Sequence, residues 1–113
     1  MNWLLVFVGG GLGSLLRFGI SQLVLKFQSH ARFPLATLIS NLLACTLLAY
    51  LALQLNEDIS DRQKLFWIAG FCGGFSTFST FSMENFHLIK SGNYWALLLN
   101  VLISLVLGIG VFY

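Results

Sequence analysis

The sequence has very few charged residues. Lys, Arg, Asp and Glu together make up 9% of its 113 residues, and the formal net charge is +2. A soluble domain carries about a quarter of charged residues, and a chain this short has too much surface for so few charges to cover. Hydrophobic residues account for 58% of the sequence, and the mean hydropathy is +0.85. The composition predicts an integral membrane protein in a lipid bilayer, and the unclustered basic residues give no reason to expect nucleic acid as a partner.

Cysteine and histidine are scarce as well. Cys45 and Cys72 lie in apolar stretches and show no CxxC spacing, so we expect them to be packing residues rather than metal ligands or a disulfide. His30 and His87 lie near predicted membrane boundaries, and neither has a second ligand at a suitable spacing. A metal site at these histidines is the less favoured alternative.

Four apolar segments approach the length of about 20 residues that a membrane-spanning helix needs. The predicted spans are residues 3–27, 34–55, 65–89 and 94–113. The polar loops between them are residues 28–32, 56–62 and 91–93. Pro34 suits the first turn of the second helix, and the first span lacks a basic segment before it, so we expect a retained helix rather than a signal peptide. The predicted fold is a single all-α transmembrane domain of four helices over residues 1–113.

The basic residues do not set one orientation in the membrane. Arg62 and Lys64 lie on the predicted side of the termini, and Lys26, Arg32 and Lys90 lie on the other side. Because positive charge in loops normally decides orientation, this balance leaves the chain free to insert both ways. Two opposed copies would then form an antiparallel, dual-topology dimer, although short loops also give weak signals by chance.

The first span carries glycines and a charge on one helical face. Gly9, Gly13 and Arg17 are spaced four residues apart, and small residues at that spacing allow another helix to approach closely. We interpret the glycines as packing residues, because no strand precedes them as a nucleotide-binding loop would require. Arg17 is a functional candidate, since a charge inside a span needs water, a partner or a ligand. Extension of its side chain to the nearer membrane surface is an equal alternative.

The second and fourth spans each carry a polar stripe. The stripes consist of Thr37, Asn41 and Cys45 in the second span, and of Asn100, Ser104 and Gly108 in the fourth. Interhelical hydrogen bonding is the usual reason for such stripes. Lining a polar pathway is the other interpretation, and two stripes on two helices leave both open.

The third span contains an unusual motif. Residues 70–84 read GFCGGFSTFSTFSME. Paired glycines followed by hydroxyl residues make a poor helix, so we predict that this helix is broken at mid-membrane. A break in a membrane is tolerated only where the backbone is buried in protein or lines a cavity. The freed carbonyl oxygens are hard ligands suited to a small cation.

The phenylalanines of this motif suggest how an anion is handled. Phe78 and Phe81 recur at a spacing of three, beside serine and threonine hydroxyls. The edge of an aromatic ring is electropositive, so paired edges and hydroxyls can coordinate a small dehydrated anion without a fixed charge that would trap it. Contact with lipid is the simpler explanation for any single phenylalanine. The residues alone therefore indicate a pore or transport protein for a small ion and do not name the ion.

The motif at residues 70–84 closely resembles the signature of the Fluc (CrcB-like) fluoride channels. The glycine-rich run before Arg17, Asn41 in the second span and the spacing in the fourth span fit the same family, so the resemblance covers essentially the whole chain. It implies a channel and not an enzyme. It implies passive export of cytoplasmic fluoride across the cell inner (plasma) membrane, through two antiparallel pores of a homodimer.

The resemblance also implies roles for particular residues. The main-chain carbonyls of Gly73 and Ser76 would hold a central structural sodium ion, with Ser76 replacing the threonine that is usual in the family. The residues expected to line the fluoride pore are Asn41, Phe78, Phe81, Ser79, Thr80, Ser82 and Ser104. Arg17 and Glu84 are further pore or structural candidates.

Two other classes compete with this interpretation. A proton-coupled transporter of the small multidrug type also has four short spans, but it needs a membrane-buried carboxylate, and Glu84 is the only acid within any predicted span. A non-transporting assembly subunit would use the glycine stripes for packing alone. The ordered Ser/Thr/Phe alternation is difficult to explain in that case.

Overall fold

A computed structural model describes residues 2–27, 33–54 and 57–113. Within these residues the chain is helical and contains no strand. Helix α1 is Asn2–Phe27, and α2 is Leu35–Ala49 followed by a π-helical stretch at Tyr50–Gln54. Helix α3 covers residues 61–75 in three continuous pieces, Asp61–Lys64, the π-helical Leu65–Cys72, and Gly73–Phe75. Helices α4 and α5 are Phe78–Lys90 and Tyr94–Gly110.

The helices suit a membrane protein in length and composition. Asn2–Phe27 and Leu35–Leu53 are both long and apolar enough to cross a bilayer, and Tyr94–Gly110 is apolar but shorter. Large apolar side chains are widely exposed, for example Trp3 at 90% and Phe7 at 78%. An apolar surface of this extent contacts lipid or another chain rather than water.

Some predicted boundaries differ from the structure. The loop predicted at residues 56–62 extends two residues too far, because α3 already begins at Asp61. There the Ser60 hydroxyl accepts a hydrogen bond from the Gln63 amide and the Gln63 side chain accepts one from the Ser60 amide, which is a capping box. The span predicted to reach residue 113 contains a helix that ends at Gly110 and continues as turns. Residues 28–32, with the predicted loop and His30, lie outside the described residues, as do residues 55 and 56.

Helices α1 and α3 pack with their backbones in contact. Gly9 and Gly13 are buried. A Cβ atom at Gly9 would overlap the carbonyl oxygen of Phe66, and one at Gly13 would overlap the carbonyl oxygen of Phe71. Gly74 meets the Gly10 backbone in the same way. Gly9 and Gly13 are therefore packing residues, as their spacing in the sequence indicates.

Helical geometry stops at Phe75 and resumes at Phe78. Ser76 (φ −86°, ψ 155°) and Thr77 (φ −150°, ψ 113°) are extended. The Thr77 hydroxyl then caps α4 by accepting a hydrogen bond from the Thr80 amide at 3.2 Å. Two extended residues between α3 and α4 therefore lie within the Ser/Thr run of the motif.

Helices α4 and α5 are joined by a tight turn. Gly92 has a φ of 77°, a conformation that glycine adopts without strain. The Asn93 side chain accepts a hydrogen bond from the Ala96 amide at 3.4 Å and caps α5. The turn makes α4 and α5 antiparallel neighbours.

Candidate functional site

The carbonyl end of α3 is stabilised by side chains of α1. In a continuous helix the Gly74 carbonyl would accept a hydrogen bond from the amide of residue 78, but the extended residues interrupt that pattern. Instead, Arg17 Nε donates to the Gly74 carbonyl at 3.2 Å, and the Ser14 hydroxyl donates to it at 3.4 Å. Arg17 therefore has a hydrogen-bond partner inside the protein. This contact favours a role within the protein over extension of the side chain to the nearer membrane surface.

Asn41 of α2 holds the extended residue Thr77. The Thr77 amide donates to Asn41 Oδ1 at 2.8 Å, and Asn41 Nδ2 donates to the Thr77 carbonyl at 3.4 Å. Both polar atoms of the Asn41 side chain are thus engaged, and its orientation is fixed. The sequence predicts Asn41 as a pore residue but does not predict this contact with the backbone.

A cavity of about 260 Å³, which we name the ring cavity, brings together four of the seven predicted pore residues. It is lined by Asn41, Cys45, Ser76, Thr77, Phe78, Phe81, Ser104 and Leu105. The Phe78 and Phe81 ring centroids are 6.0 Å apart with an interplanar angle of 41°. The Ser104 hydroxyl is buried and has no hydrogen-bond partner within the described part of the chain, so it is free to donate to a ligand.

A second cavity, which we name the polar cavity, shares Thr77 with the ring cavity. It has a volume of about 290 Å³ and is lined by Ser14, Arg17, Phe18, Ser21, Ala36, Thr37, Ser40, Thr77, Thr80 and Glu84. Ser40 is fully buried, and neither its hydroxyl nor Glu84 Oε1 has a hydrogen-bond partner among residues 2–27, 33–54 and 57–113. Buried polar atoms without partners are costly, so this cavity favours water or a small ion.

The structure places the predicted site residues in different surroundings. Asn41, Phe78, Phe81 and Ser104 meet in the ring cavity, whereas Arg17, Thr80 and Glu84 line the polar cavity. Ser79 and Ser82 are exposed and line neither cavity.

The two proposed sodium ligands have carbonyls without their helical donors. The Gly73 carbonyl would accept from the Thr77 amide in a helix, but that amide donates to Asn41. The Ser76 carbonyl would accept from the Thr80 amide, which donates instead to the Thr77 hydroxyl. Gly73 is exposed and Ser76 is half-buried. These oxygens fit a small hard cation, which prefers carbonyl ligands.

Two residues of the polar cavity, Ser14 and Ser40, are not among those predicted from the sequence. Ser40 follows Thr37 by three residues and Ser14 precedes Arg17 by three residues, a spacing that puts each serine on the same helical face as the predicted residue. This spacing is the signal by which both serines can be found.

Comparison with known proteins places the chain in a family. The sequence model of the family described as CrcB-like protein, Camphor Resistance (CrcB), matches residues 4–113. A protein of Azobacteroides pseudotrichonymphae named fluoride-specific ion channel FluC is 47% identical over 107 residues, covering 92% of this chain and 84% of the relative. Proteins of the same name from Coxiella burnetii and Pyrococcus furiosus are 40% identical over 111 residues and 46% identical over 99 residues. These alignments cover 95% and 86% of this chain, and 88% and 78% of the respective relatives. The chain therefore belongs to the CrcB-like family.

Proposed function

We propose that this protein is a fluoride-specific ion channel through which cytoplasmic fluoride leaves the cell passively across the inner (plasma) membrane. The relatives that carry this name support the proposal. The observation that carries it is the ring cavity, where two phenylalanines, an asparagine and an unpaired serine hydroxyl converge.

The chemistry of the ring cavity suits a small anion that must also leave. Ring edges and the Ser104 hydroxyl offer partial positive charge. Arg17 lines the polar cavity rather than the ring cavity and donates to the Gly74 carbonyl, so it supplies no full charge among the rings. Binding without a fixed opposite charge is weak enough to permit conduction.

The two cavities form the proposed path. Thr77 lines both of them, so an ion passing the rings next meets a cavity that offers the hydroxyls of Thr37, Ser40 and Thr80. The exposed hydroxyls of Ser79 and Ser82 would extend this path along the face of α4 that a second copy covers.

The proposed assembly is an antiparallel homodimer with four spans per chain, formed by α1, α2, α3 together with α4, and α5. One chain offers the carbonyls of Gly73 and Ser76, and two oxygens are too few for a hard cation. A second copy meeting at the exposed Gly73 would supply two more and complete a site for a structural sodium ion. The interruption at Ser76 and Thr77 would then lie at mid-membrane and at the centre of the dimer.

Fluoride efflux from liposomes tests the proposed function. Liposomes containing the purified protein are loaded with potassium fluoride, and valinomycin lets potassium leave with the fluoride so that charge balances. Release is read with a fluoride electrode. Liposomes loaded with potassium chloride and read with a chloride electrode serve as the control. Rapid fluoride release without chloride release supports the channel. No release from folded dimers would refute it, and proton-coupled uptake would then test the small multidrug type of transporter.

The antiparallel assembly is tested separately with charge. Extra lysines placed in the loops of one side should drive a single orientation. A chain so biased is expected to lose efflux when expressed alone and to regain it beside a chain biased the opposite way. Full activity of one biased chain alone would contradict the antiparallel dimer.

A further inference from the structure

Helix α4 carries both phenylalanines of the ring cavity but has little packing of its own. Its contacts with the rest of the described chain are mainly with α5, and Leu88 is its buried residue. Phe78 is 79% exposed, and Met83 and Phe86 are each 54% exposed. The position of α4 therefore depends on few interactions within the chain.

A part-buried hydrogen bond joins α4 to α5. Asn100 Nδ2 donates to Asn85 Oδ1 at 2.7 Å; Asn100 is 1% exposed, and Asn85 is half-buried. Both partners are side chains, so this bond joins the two helices directly. The sequence places Asn100 in a polar stripe but does not single out Asn85.

This hydrogen bond lies one helical turn from the ring cavity. Phe81 precedes Asn85 by four residues on α4, and Ser104 follows Asn100 by four residues on α5. Because α4 and α5 are antiparallel, moving one turn along each helix leads from the pair Asn85 and Asn100 to a neighbouring pair. That neighbouring pair is Phe81 and Ser104. Phe81 and Ser104 indeed line the same cavity.

We propose that Asn85 and Asn100 are positioning residues, whose hydrogen bond sets the register of α4 against α5 and thereby the separation of the Phe81 ring from the Ser104 hydroxyl. Any other register would leave the buried Asn100 amide and the half-buried Asn85 amide unpaired in an apolar setting, which is the reason such pairs select one arrangement. The inference rests on the proposed function, because it assigns the pair a role in the geometry of the fluoride site.

A double-mutant cycle in the full-length protein tests this role. The variants are Asn85→Leu, Asn100→Leu and the two together, with leucine chosen for its similar size. Each single change leaves one amide unpaired, either the buried Asn100 or the half-buried Asn85, whereas the double change removes both. Thr46→Val is the matched control, because Thr46 is exposed on α2 and its hydroxyl donates only to the Leu42 carbonyl of its own helix.

In the double variant, we expect the unfolding temperature to recover but the half-saturating fluoride concentration not to recover. Each single variant should unfold at a lower temperature and release fluoride more slowly. The double variant should regain the wild-type unfolding temperature, but its half-saturating fluoride concentration should stay raised by about tenfold, since the pair that fixes the register is gone. Recovery of stability and fluoride affinity together would overturn the proposal.

Cross-linking measures the register of α4 against α5 independently of fluoride transport. Cysteines at Phe81 and Ser104, in a chain with Cys45→Ala, are joined by a short bifunctional thiol reagent. The yield should fall when Asn85 and Asn100 are both leucine, and an unchanged yield would overturn the inference. If the wild-type protein releases no fluoride, the proposed function fails, and the cross-link still decides whether the pair sets the register.

Discussion

The Gly13→Ala variant is expected to destabilise the protein, because the added Cβ atom would overlap the Phe71 carbonyl oxygen and lie 2.8 Å from the Phe75 amide nitrogen. Overpacking a close contact costs about 1–3 kcal/mol, and backbone atoms cannot rotate away, so the upper end, about 3 kcal/mol, applies here. The greater helix preference of alanine returns about 1 kcal/mol. The net loss is about 2 kcal/mol, or roughly a 30-fold change in the folding equilibrium.

Gly11→Ala and Gly19→Ala are the matched controls for this experiment. Within the described part of the chain, a Cβ built at either position meets nothing within 4 Å beyond the backbone of α1 itself, so these variants should be as stable as the wild type or more stable by up to about 1 kcal/mol. Stability is measured as unfolding in detergent with increasing SDS, followed by tryptophan fluorescence. If Gly13→Ala unfolds at the same SDS fraction as Gly11→Ala, the backbone contact between α1 and α3 does not hold the two helices together, and the argument is refuted.

Three further variants test the candidate site. Phe81→Ile removes a ring edge but keeps apolar bulk, so fluoride efflux should fall about tenfold while the elution volume in size-exclusion chromatography stays that of the wild type; unchanged efflux would remove the ring-edge mechanism. Asn41→Asp brings a negative charge to the ring cavity and removes the donor to the Thr77 carbonyl, so efflux should stop, and wild-type efflux would show that this side chain does not face the ion. Arg17→Leu leaves the Gly74 carbonyl without its arginine donor and should cost about 1–3 kcal/mol in SDS unfolding; a variant of wild-type stability would contradict the role of Arg17 at the end of α3.

The sequence predicts the features that follow from local chemistry. The Gly-Gly pair and the following hydroxyl run indicate where helical geometry stops, and the structure has extended residues at Ser76 and Thr77. The spacing of Gly9 and Gly13 likewise predicts the close packing of α1. The capping box is also a local signal. Ser60 followed by Gln63 three residues later marks the start of α3 at Asp61.

The features that escape prediction depend on which helices meet. Asn85 gives no periodic signal of its own, and its partner is identified only once α4 and α5 lie side by side. Ser40 is inconspicuous in the sequence and becomes notable only as a fully buried hydroxyl on a cavity wall. The convergence of Asn41 and Ser104 with the phenylalanines is likewise a product of tertiary packing, so composition and spacing indicate the types of groups but not their meeting point.

The side chains that hydrogen-bond the backbone where helical geometry is interrupted belong to helices that lie earlier in the sequence. Arg17 and Asn41 precede their partners by 57 and 36 residues. Since synthesis proceeds from the N-terminus, both donors have already left the ribosome when the Gly-Gly-Phe-Ser-Thr run emerges. During co-translational insertion, the Gly74 and Thr77 backbone groups can therefore form hydrogen bonds with Arg17 and Asn41 as soon as they enter the membrane. A circular permutation that moves α1 to the C-terminus would reverse this order and leave the Gly74 carbonyl without Arg17 until the last helix arrives.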